Sequence, residues 1–169
     1  MCKPRIGYSR NMARKILIQH SIASPPVLLE PILKHEGLEV RFSVKMGKRG
    51  SGIFYPSRKQ LFVNANHHIH RRRFTIAHEL GHYFLNHEGG KFIDDVGFDG
   101  EYGTGILEKG KELKIADKEA NEFASELLIP LKFIKEDFKD NNDTKILADL
   151  YNVSSAALFV SLLKHRLIK

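Results

Sequence analysis

The chain has 169 residues, 42% apolar and 28% charged, proportions of a globular protein long enough to bury a core as one domain spanning 1–169. No signal-like core follows Met1 and no apolar run approaches about 18 residues, so a cytoplasmic protein with no membrane span is expected. The single cysteine, Cys2, excludes an internal disulfide and a cysteine zinc cage, and the +7 net charge is spread thinly enough that direct nucleic-acid binding is possible but not favoured.

In chain order, residues 10–20 alternate basic and apolar at helical spacing, with Met12, Ala13, Ile16 and Ile18 expected to face inward. After Ser24-Pro25-Pro26, residues 27–34 read as a helix whose Pro31 is tolerable only in the first turn, and Gly37 ends it. Residues 38–44 set Leu38, Val40, Phe42 and Val44 against polar neighbours, the period of a half-buried strand. The basic, glycine-rich stretch 46–51 is a turn. Gly52–Tyr55 and Gln60–Asn64 then form a hairpin across Pro56-Ser57-Arg58. The fold class that follows is α+β: a small, mostly antiparallel three-stranded sheet packed on the next helix, with further helices on the C-terminal side. One edge of that sheet suits a peptide held by strand addition.

The next helix, 68–87, carries His78-Glu79-Leu80-Gly81-His82. Residues four apart on a helix lie one above the other, so both imidazoles can close on one Zn2+ while Glu79 projects beside them as a general base. Apolar residues occur on every side of this helix, which predicts burial, and buried histidines and a buried carboxylate need a partner that a metal supplies. The bland alternative makes them hydrogen-bonded core residues, with Glu79 paired to an arginine. His67, His68 and His70 upstream fit the start of the helix, and His87 reads as a cation at its end.

Residues 89–110 form a glycine-rich loop, a mobile flap or a disordered segment. Its Asp95 to Gly100 stretch resembles a calcium loop but lacks the ligands that calcium needs at the third and twelfth positions. A hydrolytic zinc site wants a third protein ligand. In the helix 115–129, Asp117 falls on the same face as Ala116, Ala120, Phe123, Ala124, Leu127 and Leu128, while Glu119 lies near the margin and Glu122 and Glu126 point to solvent. Asp117 is therefore the expected third ligand and Glu119 the alternative; a capping role for Asp117 is the other reading. Asn121 is placed to hydrogen-bond a ligand from outside. The tail, 143–167, reads as a helix pair with Ser154 capping the second member. Its spacing resembles a helix-turn-helix, but 155–163 has almost none of the charge that base reading needs, so core and partner docking are expected of it.

Taken together, Arg73-Phe74-Thr75-Ile76-Ala77-His78-Glu79-Leu80-Gly81-His82 and Ala120-Asn121-Glu122-Phe123-Ala124-Ser125-Glu126-Leu127-Leu128-Ile129-Pro130 resemble the ImmA/IrrE family of zinc metallopeptidases, from about residue 26 onward. The resemblance implies a gluzincin-like site and cleavage of a helix-turn-helix repressor of a prophage, mobile element or stress regulon. Members usually carry glutamate four residues before the asparagine of the second motif, and this chain has Asp117 there. The function expected is thus a zinc-dependent endopeptidase with metal ligands His78, His82 and Asp117 and catalytic Glu79, whose partner is a protein substrate, a transcriptional repressor. The alternative is a catalytically weak regulatory binding module that contacts a repressor or DNA. A deformylase-like hydrolase would need a cysteine ligand that Cys2 is poorly placed to supply.

Overall fold

A computed structural model describes residues 3–46, 50–87, 92–94 and 111–169, without the side chains of 92–94 and 111–114. Helix α1 (Ile6–Gln19) starts earlier than the basic-apolar alternation indicates and buries Ser9, Ala13, Ile16 and Leu17, a stripe at helical spacing. Ile18, expected to face inward, lies one step round from that stripe and is 79% exposed. Helix α2 (Glu30–Glu36) begins late enough to put Pro31 in its first turn, where no helical N–H is lost, and Gly37 ends it at φ 67°. Strands β1 (Glu39–Ser43), β2 (Gly52–Tyr55) and β3 (Gln60–Asn64) lead into α3 (Ile69–Phe84). Beyond it come β4 (Phe92–Asp94), α4 (Lys111–Leu128), α5 (Leu131–Asp140), α6 (Thr144–Tyr151) and α7 (Ser155–Lys164).

The α+β class holds, and the sheet is mostly antiparallel as expected, two of its three pairings being so. It is mixed, because β1 pairs parallel with β3 while β2 runs antiparallel to β3, and it gains a fourth strand on the far side of β2. The order β1-β3-β2-β4 leaves β1 at one edge and covers the outer side of β2 with a segment of the chain itself. Edge position also explains why β1 is only partly buried, with Phe42 55% exposed and its ring under the Arg72 guanidinium at 5.3 Å. Apart from β4, the glycine-rich stretch 89–110 and its calcium-like sequence lie outside the described residues, as do residues 47–49 of the basic turn 46–51.

Helix α4 is the centre of the helical half. Its apolar face, Ala120, Phe123, Ala124, Leu127 and Leu128, is buried. Its acidic side is not solvated: Arg5, Arg10 and Arg14 of the N-terminal segment pair with Glu119, Glu122 and Glu126 at 2.9, 2.8 and 2.8 Å. The arithmetic that put Glu122 and Glu126 toward solvent locates an apolar face correctly, but it cannot see an oppositely charged helix laid over the polar one. The basic residues of the N-terminal stretch are thus largely engaged within the fold. Burial pushes the Glu122 carboxyl up, and hydrogen bonds from Lys164 and Arg10 more than offset this, leaving it below the ordinary 4.5. A carboxylate depressed in the folded state contributes stability that is complete above about pH 4.5 and lost as the pH falls through its folded value. Urea unfolding at a series of pH values should therefore show a stability loss below about pH 4.5, with a shallower acid limb in Glu122→Gln.

Pro130, expected only to stop α4, also opens α5, a helix the sequence reading missed although Ile134 and Phe138 stand four apart on its inner side. The C-terminal pair matches expectation more closely. Ser154 Oγ accepts from Ala157 N at 3.2 Å, Asn152 turns the chain at φ 51°, and Leu158 and Leu162 enter the core. Among the described residues no single helix is long and apolar enough to cross a membrane.

Candidate metal centre

Helix α3 buries His78, Glu79 and His82, each at most 4% exposed. Their four-residue spacing stacks the two histidines with Nε2 atoms 3.0 Å apart. Helix α4 crosses close by because Gly81 has no side chain: a Cβ there would stand 2.9 Å from Ala120 Cα and 3.1 Å from Ala120 O. This approach brings Asp117 Oδ1 to 3.6 Å from His82 Nε2. One ligand atom from each of His78, His82 and Asp117 lies within 4.8 Å of the other two.

The outer nitrogens of both imidazoles are committed elsewhere. His78 Nδ1 lies 2.9 Å from Asn121 Oδ1, the contact that helical spacing suggested for Asn121. His82 Nδ1 lies 2.9 Å from His87 Nδ1, and His87 Nε2 lies 3.0 Å from Glu119 Oε2. Tautomers follow from the acceptors at the ends of these chains. The carboxylate of Glu119 requires N–H at His87 Nε2, so His87 Nδ1 accepts from His82 Nδ1, and Asn121 Oδ1 accepts from His78 Nδ1. Both Nε2 atoms are then lone pairs facing each other beside a carboxylate, a donor set that fits a cation.

His87 is the residue that sequence reasoning misplaced. It does not stand in solvent at the helix end: its side chain is 7% exposed and bridges His82 to Glu119. The cause is the turn that ends α3. Asn86 adopts φ 50°, Asn86 N–H bonds Tyr83 O and His87 N–H bonds His82 O, which folds His87 back beside the helix. An asparagine just past a helix end is the available signal. Glu119, weighed as an alternative ligand, is occupied: besides His87 it accepts from the Arg5 backbone N–H at 2.7 Å and from the Arg5 guanidinium. Burial raises its carboxyl pKa, but the Arg5 and His87 hydrogen bonds outweigh this and bring it to about 2. His68 caps α3, accepting from His70 N, and neither it nor His67 or His70 joins a metal-binding group among the described residues.

Glu79 faces the sheet. A Cβ at Gly52 of β2 would lie 3.7 Å from Glu79 Oε1 and 2.5 Å from Thr75 Cγ2, so glycine there leaves room for both side chains. A cavity of about 700 Å³ is lined by Phe74 and Asn121 together with Leu128, Ile129, Ala157 and Val160. Because His82 loses its outer partner, His87→Leu should weaken metal binding about 10- to 100-fold in a chelator competition. An unchanged affinity would remove His87 from the centre.

Among solved structures, the chain is similar to a Mycobacterium tuberculosis transcriptional regulator, with a TM-score of 0.62 at 15% identity over 89% of this chain. That likeness shows a shared fold, and the chain spans 45% of that regulator's length. No curated protein matches by sequence. The model of the IrrE N-terminal-like domain, peptidase family M78, matches residues 33–162, well over half of the chain and including both α3 and α4. By that match, the chain belongs to the IrrE N-terminal-like peptidase family.

Proposed function

We propose that the chain is a zinc-dependent endopeptidase in which His78, His82 and Asp117 hold the ion and Glu79 is the catalytic base. The observation that carries this reading is the convergence of two imidazole Nε2 atoms and one carboxylate, with each outer ring nitrogen bonded to a fixed partner. Two imidazoles and a carboxylate suit Zn2+ and leave a coordination position for water. A zinc ion held there would supply Lewis acidity toward the scissile carbonyl and lower the pKa of water toward ~7. Glu79 takes the proton from the attacking water and passes it to the leaving amine. Asn121 and His87 keep the two imidazoles in the tautomer that leaves Nε2 unprotonated. The cavity beside Phe74 and Asn121 has mainly apolar walls and receives a side chain of the bound peptide.

The substrate we infer is a specific protein, a helix-turn-helix repressor. Family membership supports this, as does the role in transcription of the regulator that shares the fold. The test is incubation of zinc-loaded protein with candidate repressors, read by mass spectrometry. One defined cut, absent in Glu79→Gln and after chelation, is expected. A repressor that binds the zinc-loaded chain tightly and is never cut would favour the regulatory binding module instead.

A further inference from the structure

A second group of metal-ligating side chains lies outside this centre, where α1 and α2 end. His20 is the residue that follows α1, and His35 and Glu36 are the last two residues of α2. Tight turns set them there: Ser21 at φ 51° closes the first helix and Gly37 at φ 67° the second. The two imidazole rings lie 5.0 Å apart, edge to face. One ligand atom from each of His20, His35 and Glu36 falls within 4.8 Å of the other two.

Three further observations favour a cation. His20 Nε2 is buried and has no hydrogen-bond partner among the described residues, a state that costs free energy until something fills it. The Glu36 carboxylate is already oriented: Tyr83 OH donates to Oε2 at 3.1 Å, and His35 Nδ1 lies 3.0 Å from Oε1. Two helices also terminate at this point, and the carbonyl ends of helices carry partial negative charge. Lys59 is the neighbouring cation, but its Nζ bonds the Glu36 main-chain carbonyl at 2.9 Å and not the carboxylate.

We propose that His20, His35 and Glu36 form a second site for a borderline divalent transition-metal ion such as Zn2+, joined to α3 through Tyr83. Two imidazoles and one carboxylate are the ligands such an ion prefers, and the exposure of His35 leaves the remaining positions to water. Because Tyr83 is adjacent in sequence to His82, an ion here fastens the ends of α1 and α2 to the helix that carries the first centre.

The experiment is zinc equilibrium dialysis of the full chain beside His20→Gln and His35→Gln, with Cu2+ paramagnetic resonance as a probe of ligand atoms. The wild type should take up one ion more than either variant, with the second binding event weakened by more than about tenfold on losing one imidazole. In His78→Ala/His82→Ala, bound Cu2+ should show splitting from two nitrogens that is lost in the added His35→Gln. His35 is mostly exposed, so its substitution does not threaten the fold. Equal stoichiometry and affinity in wild type and both variants would overturn the proposal. One ion in wild type and none in His35→Gln would support this site while counting against the first, so the two readings fail separately.

Discussion

Glu79→Gln is expected to retain its zinc and to lose about 10²- to 10⁴-fold in peptide cleavage. The carboxamide has the shape of the carboxylate it replaces, so at a position only 2% exposed the packing survives, but it cannot take up a proton. Asp117→Ala should do the reverse and lose the ion itself, because it removes the one carboxylate that, among the described residues, joins His78 and His82. Elemental analysis and chelator competition on the two variants, each followed by a cleavage assay, separate the roles. Zinc lost from Glu79→Gln and kept in Asp117→Ala would exchange them. Glu119→Ala should fall between, weakening the metal about 10- to 100-fold through His87 without removing a ligand.

Gly81→Ala should lower stability and metal affinity together. Alanine in a helix interior is worth about 1 kcal/mol over glycine, so the substitution carries a built-in gain. Against it stands a Cβ placed 2.9 Å from Ala120 Cα, and backbone cannot swing aside as a side chain tip would. Overpacking of this kind costs about 1–3 kcal/mol, so the clash should win or at best cancel. At about 2–4 °C per kcal/mol for a chain of this size, a net loss of about 0–2 kcal/mol should lower the melting temperature by up to about 8 °C. Asp117 and Asn121 flank Ala120 in sequence, so pushing α4 away separates both from the histidines of α3. A Gly81→Ala protein with unchanged melting and unchanged zinc affinity would mean that the helix crossing does not set the site.

What could be read from the chain alone was what is local. The histidine pair and Glu79 follow from a repeat of four within one helix, and face arithmetic placed Asp117 and Asn121 because α4 has a clean apolar side. Pairings distant in sequence were not legible. Arg5 meets Glu119 across 114 residues, and no periodicity in either segment announces the other. Strand alternation likewise identified β1, and the Pro56-Ser57-Arg58 turn the hairpin that contains β3, but neither carries information on whether β1 and β3 run parallel. His87 was hidden for a third reason, since its position depends on a left-handed residue that the sequence marks only by one asparagine. The short β4 was concealed among glycines.

The ladder between Arg5, Arg10, Arg14 and the carboxylates of α4 has a kinetic consequence. Its partners stand 112 to 114 residues apart, so α1 lacks its main docking partner until α4 is synthesised, and closing so long a loop is entropically slow to be rewarded. The hairpin of β2 and β3 and the helix α3 after it, being near neighbours in sequence, should acquire protection first. Pulse-labelled hydrogen exchange during refolding should find α1 amides among the last to be protected, and a nascent chain ending before α4 should leave α1 open to protease.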